Sequence, residues 1–127
     1  MLHVDRISVS YGRAHALQGV SITLEDKEFV GIIGANRAGK STFLRAISRL
    51  IPLLSGEIFF DGNPLSKVPA HRIPALGVAH VPEGRQVFPK LSVEDNLFLG
   101  AIIPSARAKR AEALGILKAM EVGGKAK

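Results

Sequence analysis

Residues 34–41 read Gly34, Ala35, Asn36, Arg37, Ala38, Gly39, Lys40, Ser41, with Thr42 next. No other stretch constrains the local backbone as tightly. The four residues between the glycines let successive N–H groups curl around an anion. Gly39 lets the chain turn into a helix whose first amides and dipole favour negative charge. Lys40 is then placed to reach outer phosphates, and the Ser41 hydroxyl to ligate Mg²⁺. Before the loop, Phe29, Val30, Gly31, Ile32 and Ile33 make a continuous apolar run, as expected of a strand covered on both faces. After it, Phe43, Leu44, Ile47, Leu50 and Ile51 keep helical spacing until Pro52, which stops the helix. Strand, loop and helix in that order imply a nucleoside triphosphate site.

The flanking chain reads as short elements. Leu2, Val4, Ile7 and Val9 predict a half-buried strand with a phase slip at Asp5 and Arg6, ended by Tyr11 and Gly12. Val20, Ile22 and Leu24 predict a second strand, followed by a polar turn at Glu25, Asp26 and Lys27. Ile58, Phe59 and Phe60 run into a turn at Asp61 and Gly62, and residues 78–81 predict another short strand closed by Pro82. Ser92 and Asp95 carry a capping-box pattern that opens a helix through Leu97 and Leu99. A last helix is expected from Ser105 to Gly123 and Gly124, with Leu114, Leu117 and Met120 on one side and Gly115 in its interior.

Composition removes several classes. A chain of 127 residues allows one domain of ordinary size, and 46% hydrophobic with 22% charged residues excludes wholesale disorder. There is no cysteine, so a disulfide scaffold and a cysteine-held zinc are out. The net charge is +6, and residues 105–127 hold six basic and two acidic side chains. That basic stretch has no aromatic residue, so it reads as a solvated helix face, and no nucleic-acid partner is expected. No apolar run approaches the roughly 18–20 residues needed to span a bilayer. The start of the chain also lacks the pattern of a signal peptide. The expectation is a cytoplasmic chain, peripheral to the membrane through a partner.

Cleaving a nucleotide asks for more than a loop. An acidic group must hold Mg²⁺ from a neighbouring strand, and something must position water. Asp61 precedes Gly62, Asn63 and Pro64, which favours a turn, whereas Glu83 follows the strand predicted at 78–81 and is the candidate metal carboxylate. The histidines at 3, 15, 71 and 80 have no ligand spacing. No complete catalytic set is visible.

Read together with its flanks, the loop resembles that of the ATP-binding subunits of ABC transporters. Val9, Ser10, Tyr11 and Gly12 are similar to the segment bearing the aromatic residue that stacks on adenine, which implies that role for Tyr11. Ser55, Gly56, Glu57 and Ile58 with Asp61 and Gly62 resemble the hairpin after the P-loop helix. Val81, Pro82 and Glu83 lie where the family has a strand followed by glutamine. Residues 82–97, reading PEGRQVFPKLSVEDNL, look like the branched-chain amino acid importers, where glutamate commonly replaces that glutamine; urea importers share the stretch.

The resemblance implies an α/β fold of the P-loop NTPase, ABC ATPase type. This chain would hold its antiparallel β subdomain, the first part of the P-loop core and the start of the helical subdomain. Residues 1–101 carry the likeness and 102–127 diverge as a basic helical tail. By the same likeness, residues 34–42 and Tyr11 would bind ATP, with Ser41 and Glu83 at Mg²⁺. The implied partners are transmembrane permease subunits and a second ATP-binding subunit, as homodimer or heterodimer. The signature loop, the Mg²⁺-holding acidic strand, the catalytic glutamate and the switch histidine are not in the 127 residues, so truncation and no ATP turnover are expected. Three readings follow: an importer subunit completed by another polypeptide, a nucleotide-binding module without catalysis, or a truncated gene product. A small P-loop kinase would need an acceptor site and lid. Arg37 and Lys27 stand where the family favours glycine. At Arg37 the alternatives are backbone strain or a side chain simply in solvent.

Overall fold

The structure, a computed structural model, describes residues 1–84, 86–100 and 110–119. Two compact units divide it, Met1–His80 and Val81–Lys127.

The first unit is built on an antiparallel sheet of order β2-β1-β3-β4, with β1 Leu2–Tyr11, β2 Ala14–Leu24, β3 Ser55–Phe60 and β4 Asn63–Pro64. The phase slip predicted in β1 is a bulge. Val4 faces Ile22 and Ile7 faces Val20, so Asp5 and Arg6 together oppose Ser21 alone. Arg6 has φ +44° and its N–H donates to the Ser21 hydroxyl at 2.9 Å. A second irregularity undoes the first: Val9 faces Leu17, so Gln18 and Gly19 oppose Ser8, whose hydroxyl accepts the Gly19 N–H at 3.0 Å. The first irregularity brings Val4 onto the core face of β1 with Ile7 and Val9, where each is buried, and the second, on β2, keeps Val20 and Leu17 together on the face that meets them. On the other side of β1 the same bulge passes Gly56 of β3. A Cβ there would lie 2.4 Å from the Arg6 carbonyl oxygen, so only glycine fits.

Helix α1, Lys40–Ile47, lays Phe43, Ala46 and Ile47 into this core beside Leu17, Ile58, Leu65 and Ile73. The helix ends earlier than its apolar stripe suggested. Arg49 turns left-handed at φ +57°, the Leu50 N–H bonds to the Arg45 carbonyl and the Arg49 N–H to that of Ala46. This Schellman closure stops the helix before Pro52, and Leu44 and Leu50 stay exposed. The Asp61–Gly62 turn joins β3 to β4 with positive φ at both residues, the requirement of a two-residue hairpin. A 3₁₀ segment, Ala70–Leu76, was not expected from sequence; it buries Ile73.

Two expected strands are not formed. Residues 29–33 and 78–81 have no ladder partner among the described residues. A strand is stable only when a neighbour takes up its N–H and C=O groups, and apolar composition does not supply one. Phe29 and Ile33 are accordingly 96% and 97% exposed.

In the second unit, α2 is Val93–Gly100 and α3 is Arg110–Ala119. The predicted cap is present: the Ser92 hydroxyl accepts the Asp95 N–H at 3.0 Å and donates to its carboxylate at 2.7 Å. Asn96 clasps the preceding loop by accepting the Phe88 N–H and donating to the carbonyls of Phe88, Leu91 and Ser92. The proposed helix ends at Ser105, Gly123 and Gly124, and Met120, lie outside the described residues, as do residues 101–109 and 120–127.

Candidate functional site

The phosphate-loop sequence is folded as its composition requires. Residues 34–39 leave the apolar run, turn through an Ala38 N–H to Ala35 carbonyl bond of 3.2 Å, and enter α1 at Gly39. Gly39 has φ +91°, and a Cβ there would stand 2.7 Å from the Ala16 carbonyl oxygen and 2.9 Å from the Leu17 side chain. The residue is thus held to glycine twice, by dihedral and by contact with β2. No side chain caps α1 at Gly39, and its first turn carries no acidic residue. That leaves the positive end of the helix dipole facing the loop, an arrangement suited to an anion.

Lys40 folds back over the loop. Its ammonium donates to the carbonyl oxygens of Gly34 at 2.7 Å and Ala35 at 2.6 Å. The side chain is therefore bent back across the loop. Ser41 and Thr42 follow in the first turn, both half-buried.

Arg37 resolves the question its position raised by meeting both descriptions. Its φ is +69°, the left-handed region that costs a residue with a Cβ about 1 kcal/mol, and its side chain is exposed. Lys27 does the same in its turn, at φ +64°.

Tyr11 ends β1 opposite Ala14, at the tip of the hairpin whose Ala16 touches Gly39, and is half-exposed. Glu83 belongs to the second unit. Asp61 is a turn residue, and its carboxylate accepts a bond from the Met1 ammonium at 2.8 Å. His3 and His15 pair with Thr23 and Ser10. Among the described residues no cluster of three His, Asp or Glu is spaced to hold a metal, and no helix is long and apolar enough to cross a membrane.

Sequence reasoning missed the brace. Ala16 and Leu17 support the loop by bare proximity, and an alanine in a strand carries no signal of that. Beneath the loop a cavity of about 220 Å³ is lined by Leu17, Val20, Ile22, Ile32 and Phe43 together with Gly39 and Lys40. Its lining is mostly apolar, with Ser21 and Lys40 the polar side chains, so it suits hydrocarbon better than phosphate.

The chain matches the family model described as ABC transporter over residues 17–127, and it belongs to that family. It is 43% identical over 100 residues to the high-affinity branched-chain amino acid transport ATP-binding protein BraG of Pseudomonas aeruginosa, covering 79% of this chain and 43% of that protein. To the xylose import ATP-binding protein XylG of Pseudomonas syringae it is 36% identical over 102 residues, 79% of this chain and 20% of that protein. Among solved structures it is similar to dimeric MJ0796, a bacterial ABC transporter cassette, with TM-score 0.78 and 25% identity over 95% of this chain and 57% of the other. The fold is accordingly that of an ABC ATPase cassette, and the chain spans less than half the length of these curated relatives.

Proposed function

We propose that the chain is the nucleotide-gripping part of an ATP-binding subunit of an ABC importer, coupling ATP to uptake of branched-chain amino acids. The observation that carries this is the convergence at the loop: the Lys40 ammonium bent over it, Gly39 left-handed against Ala16, and an uncapped helix start. In this reading residues 34–42 hold the phosphates, Tyr11 stacks on adenine, and the Ser41 hydroxyl serves Mg²⁺. ATP with Mg²⁺ supplies the free energy of phosphoryl transfer. This chain's own residues bind and orient the phosphates through loop amides and the Lys40 charge.

In this reading residues 1–101 are the N-terminal part of an ATP-binding domain and 102–127 a divergent basic tail, although the family match itself runs on through residue 127. The subunit works at the cytoplasmic face of the membrane, with permease subunits and a second ATP-binding subunit. The cargo assignment rests on the 43% identity to a branched-chain amino acid transport protein and the stretch at 82–97. A sugar is the second cargo reading, favoured by the 36% identity to a xylose import protein.

Titration of the wild-type chain and of Lys40→Ala with ATP tests the reading. A loss of about tenfold or more in affinity is expected from removing a charge-assisted contact. Equal binding by the two would overturn it.

A further inference from the structure

Two cations lie in the loop, and they are not in the same condition. The Lys40 ammonium is engaged by the Gly34 and Ala35 carbonyls. Arg37, at the loop's bend, is exposed, and its guanidinium has no ion pair or hydrogen bond among the described residues. No acidic residue occurs anywhere in 34–42. The loop that leads into the helix start therefore carries one cation held by its own carbonyls and one that is exposed.

We propose that Arg37 is a second phosphate-binding cation of this loop. Its planar fork would take oxygens of a nucleotide's polyphosphate and make this site depend on salt and on ligand charge more than the loop amides and Lys40 alone would. The proposal rests on the nucleotide-binding reading above. Its physics is particular to arginine: five donors in a fixed plane match phosphate oxygens pairwise, and the group stays charged at any accessible pH. The left-handed backbone at Arg37 matters for the same reason. The residue accepts an unfavourable dihedral and leaves its side chain exposed on a loop whose amides already attract anions.

Four variants separate charge from backbone. Arg37→Gln keeps the Cβ and its dihedral cost but removes the charge, Arg37→Lys keeps charge without the fork, and Arg37→Gly removes both. Lys40→Ala is the control for the loop itself. Binding of ATP, ADP and inorganic tripolyphosphate to the full chain is measured by calorimetry at low, intermediate and high ionic strength.

For Arg37→Gln the expected result is about three- to fivefold weaker ATP binding at low salt. The loss should be smaller for ADP and should shrink as salt screens the contact. Arg37→Lys should keep part of the affinity. Tripolyphosphate following the same pattern as ATP assigns the contact to the phosphates; if only the nucleotides respond, the guanidinium is on the base or sugar and the proposal is overturned. Arg37→Gln binding ATP like wild type at low salt, while Lys40→Ala fails to bind, overturns the role of Arg37 and leaves the loop reading standing. Wild-type binding by Lys40→Ala overturns both. An unchanged urea midpoint for Arg37→Gln shows that the comparison reports binding rather than folding.

Discussion

Gly39 and Ala16 are in backbone contact: a Cβ on the glycine would lie 2.7 Å from the alanine's carbonyl oxygen. Through this one approach the antiparallel hairpin fixes the point where the phosphate loop becomes helix α1. Gly39→Ala must move β2, the loop or both, besides forcing alanine into φ +91°. The expected cost is about 2 kcal/mol or more in urea unfolding, with ATP binding lost. An alanine variant with wild-type midpoint and affinity would show that the contact does not position the loop.

Much of this arrangement is legible in the residues. Lys40, Gly39 and the helix behind them follow from one octapeptide, because each residue type there answers a local demand of backbone or charge. The bulge at Asp5 and Arg6 is legible too, since Val4 and Ile7 can share a face only if a residue is extra between them. The strands expected at 29–33 and 78–81 were misread for a physical reason. A strand's existence depends on its neighbour, and composition describes only the strand itself. The early stop of α1 was hidden because Arg49, a good helix former, adopts the left-handed closing position that glycine usually marks.

Acid should find one polar cluster in the first unit. Burial pushes the Glu57 carboxyl up. The Ser66 hydroxyl, the N–H groups of Ile58 and Ser66 and the Arg49 charge outweigh burial, holding it below its ordinary 4.5. A depressed carboxyl stabilises fully above its unfolded value and loses that contribution as pH falls through the folded one. Glu57→Gln is expected to be less stable than wild type at pH 7 by about 1 kcal/mol. The two should converge as urea midpoints are followed below pH 4.5. A gap that stays constant from pH 7 to acid would contradict this origin.

Asn96 offers a test of the second unit. Its amide oxygen takes the Phe88 N–H at 2.8 Å and its nitrogen bonds three carbonyls. Asn96→Ala should cost about 1–3 kcal/mol and expose the Phe88 amide to hydrogen exchange. Asn96→Asp retains the acceptor, so it should keep Phe88 protected while weakening the hold on Leu91 and Ser92. Equal exchange at Phe88 in both variants would refute the clasp.

The apolar side chains upstream of the loop should govern solubility rather than folding. Phe29 and Ile33 bury almost nothing, so Phe29→Lys and Ile33→Lys are expected within about 0.5 kcal/mol of wild type. Both should lower self-association as measured by light scattering across a concentration series. A large drop in unfolding midpoint would mean that these side chains are packed in solution.

Among the described residues the loop at 34–39 is consequently moored at one end only. Its exit is wedged against the hairpin, whereas its entry arrives along residues 29–33, which have no ladder partner among the described residues. In the proposed nucleotide-binding reading, closing on an anion orders that stem, and the entropy lost there is subtracted from the grip. Anything that lies down along Phe29 and Ile33 removes the penalty beforehand, which makes phosphate affinity a gauge of how well that stem is covered.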